Sequence, residues 1–206
     1  MNCDLVLVTF SDVVPEAVND FNRWYNEQHL PEYVSCPGIP AAARFEAMAG
    51  EPQFLALYAL DSEEALSTPE IKQYWGWGPM WPHLRTANGR VYRRTFALGA
   101  EPGSRSRASE YLLVTTADVA AGSESDFDAW YNDVHLPEIL ACPGFGAASR
   151  YECIDGEPRY LAMYEIDRAD ALKTPEMRMA HGWGPAQAYL RNFCGRFYRR
   201  TTEVLA

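Results

Sequence analysis

The chain has 206 residues, 48% of them hydrophobic and 13% aromatic, enough for a sizeable core and unlike a disordered segment. A formal net charge of −10 argues against a nucleic-acid partner, which would need a concentrated basic surface. Apolar runs such as Leu5–Phe10 are strand-sized, so neither a membrane span nor a secretion signal is expected, and five cysteines without a CxxC pair fit reduced thiols in a cytoplasm.

In chain order, residues 4–10 alternate and are rich in β-branched side chains, which predicts a strand. Residues 15–35 read as a helix opened by Pro15, with Phe21, Tyr25 and His29 on one face, and Pro31 is expected to break or kink it just after His29. Pro37-Gly38 turns the chain into a strand near 39–48, and Gly50-Glu-Pro52 into another at 53–60. Asp61-Ser62 caps a second helix, 63–74, followed by a short helical piece at 79–87. Asn88-Gly89 reads as a turn into a last strand, 90–98.

The same pattern then repeats. Shifted by 106 positions, Cys3–Phe96 aligns on Ser109–Thr202 without a gap. Roughly half of the aligned positions are identical, far above chance. Trp24-Tyr-Asn-Glu-Gln-His-Leu-Pro-Glu32 matches Trp130-Tyr-Asn-Asp-Val-His-Leu-Pro-Glu138, and Gly76-Trp-Gly-Pro79 matches Gly182-Trp-Gly-Pro185. The expected domains are 1–99 and 110–206, joined by a Pro-, Gly- and Ser-bearing linker at 100–109. Each has the order βαββαβ, the split βαβ arrangement, which covers one sheet face and leaves the other bare. In strand 90–98, Val91 and Thr95 alternate with Tyr92 and Phe96, so both faces are partly apolar. The expected fold class is α+β: two ferredoxin-like repeats whose sheets pack together, eight strands closing into one barrel. Pairing within the chain leaves a further homodimer possible.

These residues resemble the dimeric α+β barrel superfamily, closest to its EthD-like branch, through the βαββαβ order, the Trp-Tyr-x-x-x-His-x-Pro helix end and the tandem copies. The resemblance implies a pocket in each copy between the helices and the sheet. It also implies a range of chemistries, from cofactor-free monooxygenases to cyclases, isomerases and lyases, because one fold hosts many functions.

The candidate catalytic residues are His29 and His135, which titrate near neutrality, with Tyr25 and Tyr131 one turn earlier as donors to a developing oxyanion. The alternative role for the histidines is to hold the helix corner by bonding its freed carbonyls. Trp77 and Trp183, each between glycines, are candidate walls of an apolar pocket, whereas Trp24 and Trp130 suit either core or wall. Where the copies differ, the second has His181 where the first has Trp75, and the first has His83 where the second has Tyr189, adding candidate substrate-binding residues; haem ligation by His83 or His181 rests on a lone, unrepeated histidine. In Arg93-Arg94 and Arg199-Arg200 only one of each pair can face the helix-side pocket, where it would favour a carboxylate or phenolate substrate; the preferred reading is an ion pair with Glu46 or Glu152 on the neighbouring strand, which Arg44 and Arg150 strengthen. No metal-ligand spacing, phosphate loop or nucleophile elbow appears, so no metal and no cofactor is expected. The expected function is proton-transfer chemistry (lyase, isomerase or cyclase) on a small apolar or aromatic carbonyl or phenolic substrate. The alternatives are a cofactor-free monooxygenase of phenols or quinols and a non-catalytic protein that binds a hydrophobic metabolite.

Overall fold

The structure is a computed structural model and describes residues 4–99, 109–180 and 182–206. Its elements are β1 (Leu5–Val13), α1 (Val18–Trp24), α2 (Leu30–Val34), β2 (Ala41–Ala47), β3 (Phe54–Leu60), α3 (Pro69–Tyr74), β4 (Leu84–Gly99), β5 (Tyr111–Val119), α4 (Glu124–Trp130), α5 (Leu136–Leu140), β6 (Phe145–Cys153), β7 (Tyr160–Ile166), α6 (Pro175–Ala180) and β8 (Leu190–Leu205). The strands are hydrogen-bonded in the closed order β1-β3-β2-β8-β5-β7-β6-β4.

This corrects the expected fold class of two ferredoxin-like α+β repeats pairing into a dimeric α+β barrel. The architecture is one closed, antiparallel, eight-stranded barrel with few helices. The physical reason lies in β4 and β8, which run for 16 residues each. Asn88-Gly89, read as a turn, lies inside β4, and the helical piece expected at 79–87 ends at His83. The chain therefore folds as two compact units that exchange strand ends: one runs to Tyr92 and takes Tyr198–Ala206, the other spans Arg93–Phe197. Most of the expected linker, residues 100–108, lies outside the described residues.

In the first unit β1 and β2 flank β3, with Leu7 opposite Tyr58 and Ala42 opposite Tyr58 on its other side. Alternation then sends Leu5, Leu7, Ala42, Phe54, Ala56 and Tyr58 to the helix-facing side, against Phe21, Tyr25 and Leu30. Val6, Val8, Phe45, Leu55 and Leu57 are buried on the opposite face. The end of β8 adds to β2, Ala41 opposite Leu205 and Ala47 opposite Tyr198. The second unit repeats the plan, β7 lying between β5 and β6.

Of the break or kink expected at Pro31, the break does not occur: the helix does not stop at the histidine. It passes through a π-helical turn, Tyr25–His29, and continues as α2, with Leu30 N–H reaching back to the Tyr25 carbonyl. Tyr131–His135 does the same before α5. A proline offers no donor and crowds the preceding turn; widening that turn by one residue lets the helix carry on. No helix among the described residues is long and apolar enough to cross a membrane.

Candidate active site

Strand alternation lays each site on the helix-facing side of its own sheet. In the second unit Leu113 of β5 sits opposite Tyr164 of β7, while Thr115 and Arg150 both sit opposite Ala162. Above them α4 and the π-helical turn carry Trp130, Tyr131 and His135. The Tyr131 hydroxyl is 2.6 Å from that of Tyr164 and 3.4 Å from Thr115 Oγ1. The turn sets Tyr131 and His135 edge to face, their ring centroids 4.9 Å apart. Trp130 stacks on His135 at 4.8 Å and Trp183 at 5.3 Å, so that the expected catalytic and wall residues form one ring cluster.

This cluster borders a cavity of about 400 Å³, the size of pockets that take small organic ligands. Its walls include Leu113, Ile139, Leu172, Met177, Trp183 and Phe193, and its polar edges come from Thr115, His135, Tyr164 and Arg178. The place is apolar, with a few convergent polar groups at one end. Gly195 lines it as well. A Cβ there would meet Phe193 at 3.3 Å and Thr115 at 3.6 Å, so the glycine helps keep the floor open.

The first unit holds the same polar core. Tyr25 and Tyr58 hydroxyls are 2.7 Å apart, Thr9 Oγ1 lies 3.4 Å from Tyr25, and Trp24 stacks on His29 at 4.5 Å. The four buried tyrosines, Tyr25, Tyr58, Tyr131 and Tyr164, are all pushed above the usual phenol range, chiefly by loss of solvent, and therefore stay protonated. Burial lowers His29 to about 3, with the Arg44 charge adding to the effect, so this imidazole is neutral at neutral pH. One difference stands out among the lining positions. Tyr33 takes the place of Ile139, and its ring packs 4.4 Å from His29 and 4.9 Å from Tyr58.

Arg44 and Arg150 are corrections to the sequence reading. Neither pairs with the glutamate two residues along its own strand: Glu46 accepts from Gln53, and Glu152 accepts from Arg159. Both arginines turn under the helix, buried, with the guanidinium 4.6 Å from the Tyr25 ring and 4.4 Å from the Tyr131 ring. Arg150 is well bonded, to Asn132 at 2.8 Å and Asp128 at 2.7 Å. Arg44 has Asn26 at 3.4 Å, while its Nε and Nη2 lack hydrogen-bond partners. Burial lowers Arg44 to about 10. Arg200 bonds Glu203 of its own strand.

The remaining expected residues are not gathered in. Trp75 is 58% exposed, and His83 is half-buried at the end of a short 3-10 turn, its carbonyl accepting from Val14. His181 lies outside the described residues. The sequence reading missed Tyr58 and Tyr164, the two arginines, and Thr9 and Thr115. Strand alternation was the available signal: each has the parity of the apolar residues that face the helices. No group of three or more His, Cys, Asp or Glu among the described residues is placed to hold a metal ion.

No protein-family model matches the sequence, and no curated protein matches it. Solved structures do share its fold. A protein described as anthrone oxidase-like superposes with a TM-score of 0.73 at 14% identity, over 98% of this chain and 92% of its own. One described as a candidate monooxygenase, from Fusobacterium nucleatum, gives 0.66 at 8% identity, over 100% and 96%. A chlorite dismutase variant from Candidatus Nitrospira defluvii gives 0.64 at 8%, over 98% and 93%. At such identities the likeness is one of fold.

Proposed function

We propose that the protein is an oxygenase of hydroxyl-bearing aromatic compounds, using the second-unit cavity and molecular oxygen, with the substrate itself supplying the electrons. The observation that carries the reading is the cavity: an apolar space fit for an aromatic skeleton, ending on an imidazole and a protonated phenol that is hydrogen-bonded to a second. The names of the structural neighbours, anthrone oxidase-like and candidate monooxygenase, favour oxygenation over a lyase or isomerase. The Trp-Tyr-x-x-x-His-x-Pro motif and the 106-residue repeat support a finer placement, a tandem duplication from the EthD-like branch.

In this scheme His135 takes a proton from an acidic O–H or C–H of the bound compound. Tyr164, itself held by Tyr131, donates a hydrogen bond to the oxygen that becomes negative. The electron-rich anion passes one electron to oxygen, and the resulting radical and superoxide combine to form a C–O bond. The peroxide then takes a proton, its O–O bond breaks, and water leaves. For an activated methylene the balance is simple: the carbon gives up both hydrogens and becomes a carbonyl, one molecule of oxygen is consumed, and one water is released. The Arg150 guanidinium beneath Tyr131 favours negative charge in the site.

The test is an oxygen electrode with anthrone and 1-naphthol as probes. Uptake of one oxygen molecule per product, lowered about 10²–10⁴-fold in His135→Gln, is the expected result. Product formed without oxygen uptake would instead assign lyase, isomerase or cyclase chemistry, and saturable binding with no product a carrier.

A further inference from the structure

We propose that only the second unit binds ligand, because in the first unit the Tyr33 side chain occupies the volume that is cavity in the second. The correspondence holds residue by residue. Ile139 lines the cavity together with His135, Tyr164 and Gly182. The positions 106 earlier are Tyr33, His29, Tyr58 and Gly76. Tyr33 packs its ring on His29 and Tyr58 at 4.4 and 4.9 Å. The Gly76 backbone lies beside its hydroxyl. One phenol thus touches the three groups whose counterparts stand around open space. Tyr33 is only 4% exposed, as expected of a side chain plugging a site rather than lining one.

The counterpart of Phe193 is Ala87, and that of Met177 is Ile71, so the first unit also lacks the larger outer wall of the second. His29 is accordingly a packed member of an aromatic cluster, neutral and 4% exposed, and it performs no proton transfer. The gate between an open and a filled site is one position, isoleucine in one half and tyrosine in the other. This assignment concerns where ligand binds, and it rests on the proposed function only for the choice of an aromatic probe.

The experiment is calorimetric titration of the full chain with 1-naphthol under argon, which separates binding from any oxygen chemistry. One site per chain is expected in the wild type, two in Tyr33→Ile, and in Ile139→Tyr at least a hundredfold loss of affinity. Ile139→Tyr fills space rather than removing it; a wild-type-like circular dichroism spectrum checks its fold. Because the wild-type stoichiometry needs no variant, a Tyr33→Ile chain that fails to fold does not remove the test. Two sites in the wild type, no binding at all, a single site in folded Tyr33→Ile, or unchanged affinity in folded Ile139→Tyr would each overturn the assignment. Failure to consume oxygen would overturn the proposed chemistry and leave this stoichiometry standing.

Discussion

The two buried arginines differ by one partner, and Asn22→Asp tests what that partner contributes. Arg150 has Asp128 at 2.7 Å as well as Asn132, whereas Arg44, 1% exposed, has Asn26 at 3.4 Å and two nitrogens without a hydrogen-bond partner. Asn22 stands at the position of Asp128, 106 residues earlier. A charge-assisted hydrogen bond contributes about 1.5–3 kcal/mol. Asp128 is 49% exposed on its side chain, and solvent screening of a half-exposed carboxylate reduces this to about 1–2 kcal/mol. Asn22→Asp should therefore stabilise the protein by about that amount, raising Tm by about 2–8 °C for a chain of this size. Asp128→Asn should destabilise it to a similar degree. Urea denaturation and scanning calorimetry at neutral pH measure both, and the gain should shrink in high salt. A neutral or destabilising Asn22→Asp would refute the view that Arg44 is held by aromatic faces without a charge partner.

The pH response of His29 follows from its lowered value of about 3, against 6.5 for an ordinary histidine. The unfolded chain binds a proton there that the folded chain refuses, so this contribution to stability is fully present above about 6.5 and is lost as pH falls toward 3. Near pH 5 the slope from this group is about 1.4 kcal/mol per pH unit, and His29→Gln should flatten the urea-measured profile by that much. Gly184 has φ +44°, and an added Cβ would lie 3.3 Å from Trp130 Nε1, against the ring that stacks on His135. Gly184→Ala should cost about 1–2 kcal/mol and lower turnover. Gly78→Ala, at φ +45° with a Cβ 3.4 Å from Trp24, should cost a similar amount and leave turnover unchanged; equal effects on turnover would contradict a single working site.

The aromatic cluster is legible in the sequence because its members lie close along the chain: Trp130, Tyr131 and His135 sit on one helix, and Trp183 is marked by flanking glycines. Tyr164 and Arg150 were less legible, since their approach depends on strand register, and no local pattern says that Leu113 lies opposite Tyr164. The π-helical turn was hidden for another reason. Pro31 carries a local signal to stop, and the apolar residues that follow, Tyr33 and Val34, override it by burying themselves in the core. Helix breaking is a weak local preference, and tertiary burial outweighed it. The fold class failed at one place for the same kind of reason: Asn88-Gly89 has turn chemistry but serves a strand, where Gly89 is needed because a side chain would press on Thr9 at 3.3 Å.

The exchange of strand ends bears on how the gene can be cut. A fragment of residues 1–99 keeps β1, β2 and β3 but loses Tyr198–Leu205, the segment that pairs along β2 from Ala41 to Ala47. Its β2 would then present a row of unsatisfied backbone donors and acceptors beside buried alanine and phenylalanine side chains. An unpaired edge of that kind recruits other copies of itself. Dissecting the halves to study them separately would thus produce aggregates, whereas a circular permutant that opens the chain at the 99–109 connection and links residue 206 back to the start keeps every ladder intact.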